Sequence, residues 1–220
     1  MACYLLFSPV QNATPQLESD HDMDNVCRLY KHSIIELENI LFRCVVPSAL
    51  AAPLLRLFGA RIGANARVYT PLQLHNTHYH HLMMGKNCHI GRDVFFDLSQ
   101  QIYIGDNVTL SMRSTFITHF DVGDSPLQHY GYAREEGEIR IHDGVYIGAG
   151  ATILHGIEIG ENSLIAAGTL VKESIPPYSL VAGIPGRIIR KIEERSMSSG
   201  EVYGLPNPTE NAVMTPRTVE

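Results

Sequence analysis

His119 is the side chain best placed to do chemistry. It stands in Thr118-His119-Phe120-Asp121, at the root of a stretch, 117–138, that interrupts an otherwise periodic chain. Gly123, Asp124, Pro126, Gly131, Arg134, Glu135 and Glu136 make that stretch polar and turn-rich. A neutral imidazole could take a proton from an incoming hydroxyl or amine near pH 7. A long loop inside a regular structure is usually functional or disordered. A corner histidine satisfied by a backbone hydrogen bond is the alternative for His119. Asp97 and Ser99 fall one coil earlier and could project into the same cleft, with a solvated corner carboxylate as the alternative for Asp97. Arg113 and Asp121 could shape its walls. The group His75, His78, His80, His81 and His89 invites a metal, but it has neither a recognised ligand spacing nor a cysteine pair. It reads as a polar turn, and no metal is expected.

The element that must position these residues is a repeat of six. Ile141, Ile147, Ile153, Ile159, Ile165 and Val171 follow one another at that spacing. Three residues after each stands Gly144, Gly150, Gly156, Asn162, Gly168 or Ser174, and one further on Val145, Ala151, Ile157, Ser163, Thr169 or Ile175. On a helix, positions six apart drift round the axis, so no face forms. On a strand they describe a short inward-facing segment followed by a corner. Three such sides close a coil of eighteen residues, and stacked coils pair as parallel strands in a β-solenoid.

Upstream the repeat is weaker. Ile62, Val68 and Leu74 form one coil, Met84, Ile90 and Phe96 the next, and Ile104, Leu110 and Phe116 a third, with two extra residues around Gln100 to Tyr103. Asn65, Asn87, Asp93, Ser99 and Asn107 take the corner places. Before the repeat, Met23, Val26, Tyr30, Ile34, Leu37 and Leu41 mark one helix face between Asp22 and Val46. A second short helix, Ala49 to Phe58, would be capped by Ser48 and closed by Gly59. The pair reads as a lid on the first coil. The division expected is therefore tail and helical cap over 1–58, solenoid over 59–186, and a short amphipathic helix with a tail over 187–220.

Composition bounds the rest. A formal charge of −6, with 17 basic residues in no long run, argues against a nucleic-acid footprint. Cys3, Cys27, Cys44 and Cys88 form no close pair, which suits a reducing cytoplasm. The opening segment lacks the basic start and cleavage site of a signal peptide. Arg43, Pro47, Pro53 and Arg56 interrupt the apolar run 40–58, so no transmembrane span is expected.

Ile147-Gly148-Ala149-Gly150-Ala151, Ile159-Gly160-Glu161-Asn162-Ser163 and Ile165-Ala166-Ala167-Gly168-Thr169 resemble the hexapeptide repeats of left-handed β-helix acyltransferases. The run from Ile175-Pro176-Pro177 to Gly183-Ile184-Pro185-Gly186-Arg187 resembles that family's closing signature. The resemblance spans roughly 55–192 and implies the left-handed winding. It also implies acetyl-CoA as co-substrate, a sugar or polysaccharide hydroxyl as acceptor, His119 as general base, direct transfer, and a homotrimer. By correspondence it puts CoA contacts at Ala149, Ala167, Lys172, Arg187 and Arg190, and acceptor contacts at Asp97 and Ser99. The gap from Gly105-Asp106-Asn107-Val108 to His119 is shorter than in the galactoside and maltose enzymes and closer to relatives acting on bacterial polysaccharides.

Three other readings stay open. One is N-acetylation of an amino sugar or antibiotic amine. Another is a zinc lyase of the carbonic-anhydrase type, although His119, His142 and His155 take different places in their hexapeptides and should not stack. The third is a solenoid with no catalytic role.

Overall fold

A computed structural model describes residues 40–193 continuously, with 33, 36 and 37 before them. The expected tail over 196–220 and most of the helix over 22–46 lie outside the described residues.

The repeat winds into a three-sided parallel β-helix. Face 1 stacks Arg61–Ile62, Leu82–Met84, Ile102–Ile104, Ile139–Ile141 and Glu158–Ile159. Face 2 stacks Arg67–Val68, His89–Ile90, Thr109–Leu110, Tyr146–Ile147, Leu164–Ile165 and Ser179–Ala182. Face 3 stacks Leu72–His75, Val94–Asp97, Thr115–Phe116, Thr152–Ile153 and Leu170–Val171. The register follows the period: Ile104 pairs with Ile141 and Ile141 with Ile159, Leu110 with Ile147 and Ile147 with Ile165, Phe116 with Ile153 and Ile153 with Val171. All are buried on the axis, as are Val145, Ala151, Ile157, Ser163, Thr169 and Ile175.

Burying one such Ile contributes roughly 1.5–3 kcal/mol. Fixing each backbone residue costs about 1–2 kcal/mol. A single coil cannot meet that cost, so each coil depends on its neighbours.

The ends depart from the expected pattern. The last coil is two residues short: Ile175 bridges to Ile159, and Ser179–Ala182 follows directly. Residues Arg187–Lys191, expected as a helix, form a strand antiparallel to Ser179–Ala182. The open edge of that last strand supplies hydrogen-bond partners no isolated helix would have. At the other end, helix α1, Ser48–Leu57, packs Ala51, Ala52 and Leu55 into the core below the first coil. Ser48 does not cap it. Its hydroxyl accepts from the Thr70 amide at 3.0 Å and so ties the helix to the coil. Leu41–Val45 is a π-helix that buries Phe42. Among the expected corners, Asn65, Asn87, Asp93 and Asn107 hold positive φ; Ser99 does not, and Arg113 does.

Two glycines in one turn separate the two reasons for glycine. A Cβ on Gly148 would sit 2.4 Å from the Ala167 amide of the next coil. Gly150 meets nothing within 4 Å but holds φ +67. Gly148→Ala should therefore destabilise by about 1–3 kcal/mol through coil separation. Gly150→Ala should cost roughly 1 kcal/mol through local backbone strain alone. Urea unfolding of both variants checks this ranking, and equal losses would contradict it.

Candidate active site

All the large departures from period six fall on one edge, where face 3 turns into face 1. Leu74 to Met84 is ten residues, Phe96 to Ile104 eight and Phe116 to Ile141 twenty-five. The three excursions come from successive coils, so they stack. His81 Nδ1 meets the Leu98 carbonyl at 2.8 Å, and the Leu98 amide donates to His75 at 2.9 Å. The third excursion leaves through His119–Phe120 and returns through Glu135–Glu136, paired antiparallel with His119 opposite Glu136. Arg134 and Gln100 both donate to Glu136, and these bonds, Arg134's foremost, hold its carboxyl below the usual value.

Inside this stack His119 Nδ1 lies 2.5 Å from Asp97 Oδ2. Asp97 is 1% exposed, whereas the His119 side chain keeps 25% of its surface open. The carboxylate is fully engaged. Oδ1 accepts from the Ser99 hydroxyl at 2.7 Å and the Ser99 amide at 3.1 Å, and Oδ2 accepts from the Thr118 amide at 2.9 Å. Burial works against its charge, but the bonds from Ser99, His119 and Thr118 prevail and hold the Asp97 carboxyl below the ordinary carboxylate value. An ionised carboxylate only accepts, so His119 donates from Nδ1 and leaves Nε2 as the ring's free basic nitrogen. Asn76, at φ 68 in the first excursion, donates to Ser99 Oγ at 2.7 Å. His75 stacks on His119, with ring centroids 5.8 Å apart and 11° between planes.

The expected residues separate into groups. His119, Asp97 and Ser99 come together, but Asp97 and Ser99 spend their polar atoms on holding His119 rather than on an open pocket. The solvated-corner alternative for Asp97 is wrong, because the excursions bury it. Ala149 and Ala167 stack at the edge between faces 2 and 3, where the Gly168 amide donates to Ala149 at 2.8 Å. Lys172 lies on the same edge as His119, two coils on, and shares Glu173 with Arg187 at 3.4 and 3.6 Å. Arg190 is exposed on the last strand. His78, His80 and His81 cluster with centroids 4.4–5.9 Å apart. Among the described residues no three His, Cys, Asp or Glu side chains are set to hold a metal. His142 and His155 instead face Glu158 at 2.6 Å and Glu135 at 3.9 Å. Sequence reasoning missed Thr118, Asn76 and Gln100; their signal was the excess over period six at the same place in successive coils. Among the described residues no helix is long and apolar enough to cross a membrane.

Because the Asp97 pKa is lowered in the fold, its contribution to stability is present above the unfolded value of about 4. It is lost as pH falls through the folded value. Asp97→Asn should be less stable than wild type at pH 7, with the gap closing below about pH 4. Urea unfolding from pH 3 to 7 reads this difference, and a gap independent of pH would contradict it.

A family model described as bacterial transferase hexapeptide (six repeats) matches residues 138–173. The chain is 35% identical over 147 residues to galactoside O-acetyltransferase of Escherichia coli K12, covering 62% of this chain and 66% of that protein. It is 28% identical to a maltose O-acetyltransferase from Clostridium difficile 630, at TM-score 0.65 over 76% of this chain and 88% of that one. A hexapeptide-repeat acetyltransferase from Vibrio cholerae, complexed with acetyl coenzyme A, matches at 25% identity and TM-score 0.65 over 74% and 87% of the two chains. Repeat, fold and relatives agree: the chain belongs to the hexapeptide-repeat acyltransferases of left-handed β-helix fold and resembles the sugar O-acetyltransferases among them.

Proposed function

We propose that the protein transfers an acetyl group from acetyl-CoA to a sugar hydroxyl, with His119 as general base. The observation that carries this reading is the His119–Asp97 pair at 2.5 Å, with the carboxylate buried and the imidazole partly open. The acceptor hydroxyl gives its proton to His119 Nε2 as its oxygen attacks the thioester carbonyl. The resulting imidazolium is stabilised by Asp97 through Nδ1–H, then returns the proton to the departing thiolate. No group bonds covalently to the protein. Asp97 acts as a positioning residue that selects the tautomer and offsets the developing charge.

The donor residues fit an anionic co-substrate. Lys172, Arg187, Arg190 and Lys191 are exposed at the far end of the column, and guanidinium groups suit phosphate oxygens. Ala149 and Ala167 offer small side chains that let a ligand approach the backbone. They lie across face 3 from the His119 edge, about 15 Å away by strand length. A homotrimer that set the alanine edge of one copy against the His119 edge of the next would bring the two halves of this site into one cleft. The relatives named for galactoside and maltose favour oxygen over nitrogen as the atom acetylated.

His119→Ala should lower kcat/KM for acetyl transfer by about 10²–10⁴ with little change in the acetyl-CoA KM. CoA release from acetyl-CoA with a panel of glycosides measures it. A variant as active as wild type would remove His119 from the mechanism.

A further inference from the structure

A cavity of about 430 Å³ is lined by Gln73, Asp93, Phe95, Arg113 and Thr115. It lies on face 3. Gln73 pairs with Phe95 and Phe95 with Thr115, one row of the sheet, while His75 pairs with Asp97 two residues further along the strands. That step is roughly 7 Å, so the cavity lies one strand step from the His119–Asp97 pair. Phe95 joins the two: its ring stacks with His75 at 6.5 Å, and His75 stacks on His119. At the far end Asp93 and Arg113 occupy corner positions one coil apart, both at positive φ.

We propose that this cavity is a second sugar subsite, holding the unit next to the one acetylated, so that the acceptor contains at least two linked sugars. This rests on the acetyl-transfer reading above. The lining distinguishes a sugar from other ligands. An aromatic ring offers a surface to the C–H face of a pyranose, while Arg113, Asp93, Gln73 and Thr115 present both donors and acceptors to its hydroxyls. One cation and one anion leave no net charge for a phosphate, and four polar side chains do not suit an acyl chain. The site also lies on the first three coils, away from the cationic side chains Lys172, Arg187, Arg190 and Lys191.

The test compares kcat/KM for methyl galactoside and methyl glucoside with their matched di- and trisaccharides, using acetyl-CoA and wild type, Arg113→Asn and Phe95→Ala. Asparagine tolerates the backbone of position 113, so that variant should fold. Wild type should prefer the disaccharide of the active series over its monosaccharide by about tenfold or more, and each substitution should shrink that ratio toward one. Equal use of both lengths by wild type, or an unchanged ratio in Arg113→Asn, overturns the subsite while leaving acetyl transfer intact. No CoA release with any acceptor overturns the acetyl-transfer reading, and the subsite with it.

Discussion

Each coil of this protein is held by parallel backbone hydrogen bonds to the coil before and the coil after, so every residue on a face has its place fixed by the ladder. Chain can be added only where the ladder is interrupted, at an edge. Here the additions fall on the same edge in three successive coils. Their stacking turns a regular column into a walled site, because each excursion caps polar groups of the next. The burial of Asp97, a short polar side chain at the end of a strand, follows from that arrangement and not from its own coil.

Burial then sets the chemistry. An exposed Asp beside an exposed His would exchange its bond with water and orient the ring weakly. In the stack, Asp97 receives two hydrogen bonds from Ser99 and one from the Thr118 amide, so it keeps its charge despite desolvation. A fixed anion under Nδ1 leaves Nε2 as the basic nitrogen. The rigid ladder underneath pays for the ordering in advance, so the site does not depend on a folded loop alone.

How much of this was legible in the residues follows from what side-chain period can report. The inward Ile and Val positions, the coil boundaries and the extra residues after Phe96 were all readable, because each is a count along one chain. His119 was readable as a candidate because it stands where the count fails. The bond from His119 to Asp97 was not, since a 22-residue separation names a neighbouring coil without saying which side chains lean together. Nor was the strand at Arg187–Lys191: its Ile and Arg spacing also suits a helix, and only the unpaired strand Ser179–Ala182 decides against one. Nor were two corners: Ser99, expected at one, does not hold positive φ, while Arg113 does so between faces 2 and 3, which its residue type does not favour.

Nitrogen-15 NMR of histidine-labelled protein tests the arrangement at its centre. The His119 ring should carry its proton on Nδ1, with a strongly deshielded, slowly exchanging N–H that is lost in Asp97→Asn while the other histidines stay unchanged. An Nε2-protonated His119, or an Nδ1 signal indifferent to Asp97, would mean that the pair does not orient the ring and that the base has been placed on the wrong footing.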